Sequence, residues 1–79
     1  MLPDLPDDDE WIRARLQLIG ARIQARRMRQ NLTQQAVFLA ARIDRGTLQA
    51  LEAGRGNPTF ATLMRVAYAL DMPLEDLVR

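Results

Sequence analysis

The sequence predicts an all-α fold of five helices. Apolar residues recur three and four positions apart along most of the 79-residue chain, as they do on the buried face of an amphipathic helix. Threonine or aspartate, whose side-chain oxygens cap helix N-termini, stands just before several of these periodic segments. Short loops join the segments, so successive helices should pack on their neighbours and no sheet is expected.

The first helix is the longest one predicted. It is expected to run from about Asp9 to about Gln30. Its apolar face is formed by Ile12, Leu16, Ile19 and Ile23. Residues 1–8 contain two prolines and are expected to form a flexible acidic tail, which leaves residues 9–79 as the folded domain.

The other four helices are predicted from their start and stop signals. Thr33 is placed to cap the second helix, Asp44 the third and Thr59 the fourth. Gly54 is expected to end the third helix, because glycine is common just after helix C-termini. Pro73 allows a short fifth helix to begin after it.

The composition argues against catalysis and metal binding. The chain contains no cysteine, histidine, serine or lysine. It therefore lacks the usual general base, hydroxyl nucleophile and Schiff-base amine, and the thiolate and imidazole metal ligands. We expect no enzyme, no catalytic residue, no metal, no cofactor and no small-molecule ligand.

The sequence also predicts no membrane segment. No apolar run reaches the ~18 residues that a membrane-spanning helix needs. The N-terminus carries aspartate where a secretory signal would be basic. A cytoplasmic protein with no membrane partner is therefore expected.

The charges are divided unevenly along the chain. Residues 1–10 contain five acids and no base, whereas the remaining 69 residues contain all eleven arginines against five acids, a net charge of +6. A basic body with an acidic tail is typical of proteins with polyanionic partners. Alternatively, the acids at positions 7–9 only cap and solvate the first helix, whose dipole favours negative charge there. The two interpretations are compatible.

Residues 33–54, TQQAVFLAARIDRGTLQALEAG, are expected to form two short helices with a tight connection. Val37 and Ala41 lie four positions apart on one helix face, and Leu48 and Leu51 lie three apart on the other. Ile43 is placed to fill the corner between the helices. This spacing is the packing pattern of a helix-turn-helix, a motif that presents its second helix to the major groove of DNA.

Four sequence anchors lie between positions 19 and 77. They are Leu32-Thr33-Gln34, Thr47-Leu48-x-x-Leu51-Glu52-x-Gly54, Asn57-Pro58-Thr59 and Leu63-x-x-Val66-Ala67-x-Ala69-Leu70. Together they resemble the phage-repressor type of helix-turn-helix domain, the lambda-repressor-like or XRE family, over about three quarters of the chain. The resemblance implies a five-helix lambda-repressor-like domain, here with an N-terminally extended first helix. Its third helix would be the recognition helix, and its second would cross the phosphate backbone.

The resemblance also implies which residues contact phosphate. Thr33 and Gln34 would do so at the start of the second helix, where free N–H groups and the helix dipole favour an anion. Simple capping and solvation is the alternative for both residues. Gln35, Arg55 and Asn57 also belong to the predicted DNA-binding set.

Four positions match the family's groove-facing residues: Arg45, Gly46, Gln49 and Ala50. Arginine can pair with guanine O6 and N7, glutamine with adenine N6 and N7, and alanine can meet only a thymine methyl group. The predicted base-reading surface is therefore thin. Arg45 is expected to contact a base edge, and the alternative is that it is a solvated surface arginine.

Three residues depart from the family pattern. Phe38 replaces a small residue on the second helix, where it either wedges the two helices apart or fills a gap in the core. Arg42 replaces the glycine that usually opens the turn, and a left-handed conformation there would cost about 1 to 2 kcal/mol. Leu39 stands at a normally polar position, where it either marks a contact surface or is a single exposed leucine.

Arg27 and Glu52 match a family pair that joins the first helix to the end of the third. If the pair is buried, the planar guanidinium can bind the carboxylate through two parallel hydrogen bonds and fix the recognition helix on its scaffold. The alternative is two solvated charges.

A homodimer is expected for two reasons. First, Trp11, Ile12 and Leu16 extend the first helix beyond the compact core and need cover, either from Leu74 and Leu77 or from a second subunit. Second, a recognition helix with few polar contacts gains most from a second half-site. Three apolar residues near the C-terminus also need cover, either from the core or from a second subunit: Met72, Leu74 and Val78.

The sequence therefore predicts a sequence-specific regulator of transcription that binds double-stranded DNA, a repressor that acts as a dimer by occupying its site. An antitoxin or controller protein that regulates its own operon is one alternative. The other is a protein-interaction module that does not bind DNA and docks a protein partner on Phe38, Leu39, Gly46 and Ala50. Salt dependence separates DNA binding from an apolar docking face.

Overall fold

Five α-helices make up the protein, in the order that the sequence predicts. The computed structural model describes residues 1–79 and contains no strand. The helices are α1 (Glu10–Arg29), α2 (Gln34–Ala41), α3 (Arg45–Glu52), α4 (Phe60–Ala69) and α5 (Leu74–Val78). The all-α, five-helix prediction is confirmed. None of the helices combines the length and the apolarity that a membrane span requires.

Two of the predicted caps close their helices through the side chain. The Thr33 hydroxyl accepts a hydrogen bond from the backbone N–H of Ala36 at 3.0 Å, and the Thr59 hydroxyl accepts one from Thr62 at 3.1 Å. Asp44 occupies the N-cap position of α3, but its side chain makes no capping hydrogen bond. Its carboxylate is therefore left exposed at the start of α3.

The connection between α2 and α3 is a tight left-handed turn at Arg42, whose φ is 57°. The N–H groups of Arg42 and Ile43 donate back to the carbonyls of Leu39 and Phe38, at 3.2 and 3.0 Å. These bonds satisfy the last carbonyls of α2, and they offset the cost of about 1 to 2 kcal/mol that a side chain meets in this conformation. The motif thus keeps its turn without the usual glycine.

The core is built from eleven buried apolar residues that come from all five helices. It includes the four apolar residues that define the predicted helix-turn-helix pattern, Val37, Ala41, Leu48 and Leu51. Ile43 is half-buried at the corner between α2 and α3. Helix α3 packs closely on α1 at Gly20, where a Cβ atom would lie 2.2 Å from the carbonyl oxygen of Leu51. Only glycine fits at this crossing.

The C-terminal helix packs on the side of α1 next to the core. Leu77 is fully buried, and the partly buried residues Met72, Leu74 and Val78 pack against the core. Arg22 donates to the backbone carbonyls of Leu77, at 3.1 Å, and of Arg79. Helix α5 thus covers the middle of α1.

The N-terminal end of α1 extends past this packing. Leu16 is half-buried, whereas Ile12 is 40% and Trp11 52% exposed. Folding back on α5 therefore leaves the first turn of α1 uncovered in a single copy of the chain. Because successive helical residues are turned by about 100°, Trp11 also lies on a different face from Leu16.

Candidate nucleic-acid interface

The start of α2 offers free backbone donors. Its first-turn N–H groups, at Gln34 and Gln35, have no carbonyl acceptor within the helix. The Thr33 hydroxyl is occupied by the cap, and the Gln35 side chain is exposed. The positive end of the α2 dipole and its free N–H groups suit an anion such as a phosphate.

A polar cluster beneath this helix end joins three elements. Arg27 on α1 donates to Glu52 at the end of α3 through Nε, at 2.7 Å, and through Nη2, at 2.9 Å. Its third nitrogen, Nη1, donates to the carbonyl oxygen of Leu32 at 2.9 Å. Gln34 donates to the same Glu52 carboxylate at 3.2 Å. One carboxylate therefore fixes the end of α3 to both α1 and the start of α2.

The ion pair in this cluster is largely shielded from solvent. The side chain of Glu52 is 4% exposed and that of Arg27 is 13% exposed. The hydrogen bonding of Arg27 to the Glu52 carboxylate raises the pKa of Arg27, and the attraction of the negative charge adds to this, whereas burial lowers it. Arg27 thus stays charged, and the two parallel hydrogen bonds hold α3 at a fixed angle to its scaffold.

The outer face of α3 presents the residues that the sequence places in the groove. Arg45, Gly46 and Gln49 are exposed, and Ala50 is half-buried. A Cβ atom on Gly46 would meet nothing within 4 Å, so this part of the helix has an open surface that another molecule can approach closely. Arg45 and Gln49 are the two side chains of this face with polar reach.

Phe38 supports Arg45 from below. The guanidinium carbon of Arg45 lies 5.3 Å from the centroid of the Phe38 ring, a cation–π arrangement. Phe38 itself is half-buried and packs against the core. Its ring therefore fills the space between α2 and α3, and the outer side of the ring contacts the guanidinium of Arg45. Reasoning from the sequence missed this contact. The available signal was an aromatic residue seven positions before an arginine, across a tight turn.

The turn between α3 and α4 borders the other side of this face. Arg55 and Asn57 are exposed on it, and they line a shallow groove of about 300 Å³ together with Gly46 and Ala50. The N–H of Arg55 donates to the carbonyl oxygen of Ala50 at 2.8 Å, which holds the turn against the end of α3. Arg55 thus lies beside Gly46 and Ala50 on the outer face of α3.

The structure divides the predicted site residues into three groups. The DNA-binding candidates lie on three adjoining elements: the outer face of α3, the turn after it, which lines a groove with Gly46 and Ala50, and the start of α2, which Gln34 joins to the end of α3. Arg27 and Glu52 lie beneath that surface as a pair. Trp11 and Ile12 lie at the exposed start of α1, while Met72, Leu74 and Val78 pack on the core near α5.

A family model described as helix-turn-helix matches residues 23–77, which includes the last seven residues of α1, all of α2 to α4 and all but the last residue of α5. The chain belongs to the XRE-type helix-turn-helix family. As a member of this family, the protein is a DNA-binding regulator of transcription. No curated protein matches the sequence.

Two solved structures of similar fold are regulators. The helix-turn-helix protein is similar to the restriction-modification controller protein C.AhdI from Aeromonas hydrophila, with a TM-score of 0.78 and 26% identity over 81% of this chain and 97% of that one. It is also similar to the clp gene regulator ClgR from C. glutamicum, with a TM-score of 0.74 and 27% identity over 80% of this chain and 82% of that one.

Proposed function

We propose that the protein is a sequence-specific repressor that binds double-stranded DNA as a homodimer, with α3 of each copy in the major groove. The observation that carries the proposal is the exposed face of α3, bordered by the start of α2 and the turn after α3. Each of these two borders has donors for phosphate. A helix bordered in this way can enter the groove while its neighbours contact the backbone on both sides.

The proposed base contacts come from two side chains. Arg45 donates to O6 and N7 of a guanine, and its stacking on Phe38 limits the directions in which the guanidinium can point. Gln49, one turn further along α3, pairs with an adenine. Gly46 and Ala50 have no polar side chain, and they let the helix approach closely enough to meet a thymine methyl group.

The proposed phosphate contacts surround these residues. Gln35 and the free N–H groups at the start of α2 bind one phosphate group, with Thr33 and Gln34 shaping that helix end. Arg55 and Asn57 bind a second group on the other side of α3. Such contacts set the orientation of the protein and make its affinity depend on salt.

The proposed dimer and its repressor role are argued from the small number of side chains that can contact bases. Two polar side chains specify few base pairs, so a second copy at a second half-site supplies the selectivity that one copy lacks. A dimer that covers its site excludes other proteins from it, which is the simplest way for a domain of this size to control transcription.

A second candidate is a controller protein that regulates its own operon. The likeness to C.AhdI favours it, because C.AhdI is a restriction-modification controller protein and the similarity covers 97% of its chain. Both candidates require the same DNA-binding surface. They differ in the location of the site, which lies upstream of the protein's own coding sequence in the controller.

Selection of bound sequences from a random pool of duplex DNA tests the proposal. We expect enrichment of a two-fold symmetric site, and an affinity for it that falls with salt by a slope of about 0.9 per phosphate neutralised. The Arg45→Ala variant is the matched control and should enrich a degenerate site. Failure to enrich any sequence, together with partner binding that is insensitive to salt, would instead indicate the protein-interaction module.

A further inference from the structure

Helix α1 has a second apolar face, on the side away from the core. Six residues on it follow the alternating three- and four-residue spacing of the a and d positions of a coiled coil. This set, which we call the outer seam, consists of Trp11, Ala14, Leu18, Ala21, Ala25 and Met28. All six are exposed, the three large ones by 52% (Trp11), 40% (Leu18) and 60% (Met28).

The outer seam is left almost entirely uncovered within the chain. With successive residues turned by about 100°, its centre lies opposite the core-facing Ile19 and Ile23. Helix α3 packs on α1 at Gly20, and α5 packs near Arg22 and borders the seam only at Ala25, which lines a groove with Met72 and Pro73. The outward face of a surface helix usually carries polar residues, and an apolar seam along almost the whole of α1 is the pattern of a helix with a second helical partner.

The charges of α1 identify that partner as a second copy. The acids lie at and before its first turn, up to Glu10, and are followed by Arg13 and Arg15, whereas the last turn is basic and ends at Arg29. Two parallel helices would place the acidic ends of both copies side by side. Two antiparallel helices instead place the acidic end of each copy beside Arg29 of the other copy, and they also oppose the helix dipoles favourably.

We propose that two copies of the chain associate through the outer seams of antiparallel α1 helices. The sizes of the seam residues suit a two-fold axis that passes between Leu18 and Ala21. Leu18 of each copy then meets Ala21 of the other. In the same register the two large end residues, Trp11 and Met28, face each other. The alanines between them let the helix axes approach to about 8 Å.

This inference rests on the homodimer in the proposed function and not on DNA binding. A second exposed apolar face is on α4, where Phe60, Met64 and Tyr68 are spaced four apart and are 64%, 51% and 90% exposed. That face is shorter and has no complementary charges at its two ends. It therefore serves as the competing interface in the test.

The first experiment measures the mass of the free protein by sedimentation across a concentration series. The wild type should approach twice its chain mass of 9.0 kDa, and a Leu18→Glu/Ala21→Glu double variant should stay at the chain mass. Met64→Glu, which adds a charge to the competing face, should leave the dimer intact. Helix content from circular dichroism checks that each variant folds. A monomeric wild type, or a dimer broken only by Met64→Glu, would overturn the proposal.

Cross-linking through introduced cysteines tests the direction and register. The natural chain has no cysteine, so every disulfide reports an introduced pair. In the proposed register Ala14 of one copy meets Ala25 of the other, so a mixture of Ala14→Cys and Ala25→Cys chains should oxidise to the mixed dimer. Two copies of Ala14 lie about 16 Å apart along the axis, too far for a disulfide. A dimer from Ala14→Cys alone would indicate parallel helices and refute the antiparallel arrangement.

The two experiments separate this inference from the proposed function. If the wild type is a dimer that neither seam substitution nor cross-linking affects, the interface lies elsewhere and the dimeric repressor stands. If the double variant is monomeric and folded, its binding to a single half-site can still be measured. DNA binding can thus be measured independently of the α1 dimer interface.

Discussion

Removing the Glu52 carboxylate tests the polar cluster that fixes the recognition helix. In a Glu52→Ala variant, Arg27 keeps only its bond to the Leu32 carbonyl and loses two bonds of 2.7 and 2.9 Å. Breaking one side of a buried ion pair typically costs about 3 to 5 kcal/mol. Because the Arg27 side chain is 13% exposed and can regain some water, we expect about 3 kcal/mol, the lower end of that range.

Thermal and urea unfolding followed by circular dichroism measures this cost. For a domain of this size, about 3 kcal/mol corresponds to a fall in Tm of roughly 12 to 24 °C. An Arg27→Met/Glu52→Leu double variant should recover part of the loss, because apolar residues of similar volume leave no stranded charge.

The exposed ion pair between Arg13 and Glu10 provides the control. Its two atoms are also 2.9 Å apart, but its side chains are 57% and 71% exposed, so Glu10→Gln should change Tm very little. Equal small effects at Glu10 and Glu52, or strictly additive effects of Arg27→Met and Glu52→Leu, would refute the argument that shielding makes the Arg27–Glu52 pair important.

Three further predictions concern DNA binding and the first helix. Arg45→Ala should weaken binding to the selected site by about 1 to 3 kcal/mol more than binding to random duplex, and equal losses in a titration of both DNAs would make Arg45 a phosphate contact. Phe38→Leu keeps an apolar side chain but removes the ring, so the binding free energy for the selected site should weaken by about 0.5 to 1 kcal/mol through loss of the Arg45 stacking. In an Arg45→Ala background the same substitution should leave the affinity unchanged. Deleting residues 1–18 should shift the sedimentation mass towards the monomer or lower Tm and weaken binding to a two-half-site DNA, whereas unchanged values would mean that this segment serves neither association nor the core.

The order and ends of the helices were predictable from the sequence. Caps such as Thr33 and Thr59 act through bonds to the next turn of their own helix, and the left-handed turns depend on a few adjacent residues. The buried set was predictable as well, because the three-to-four spacing places Val37, Ala41 and Leu48 on inward faces whatever the rest of the fold does. These properties are local, so the sequence determines them directly.

Contacts between side chains on different helices were harder to predict from the sequence. The Arg27–Glu52 pairing was expected only from the family resemblance, and the bond that Gln34 adds to it depends on how α1, α2 and α3 meet. The stacking of Arg45 on Phe38 likewise requires the angle of the turn between α2 and α3. The crossing angles of helices arise from the packing of the whole core, so no local pattern contains them.

The first helix shows most clearly what each level decides. The sequence determined that α1 is long, that Ile19 and Ile23 face the core, and that its charges are separated along its length. It could not decide whether the second set of apolar residues, from Trp11 to Met28, is covered. Only the tertiary structure decided that, because α3 packs on α1 at Gly20, α5 borders the set only at Ala25, and the whole set stays exposed to solvent.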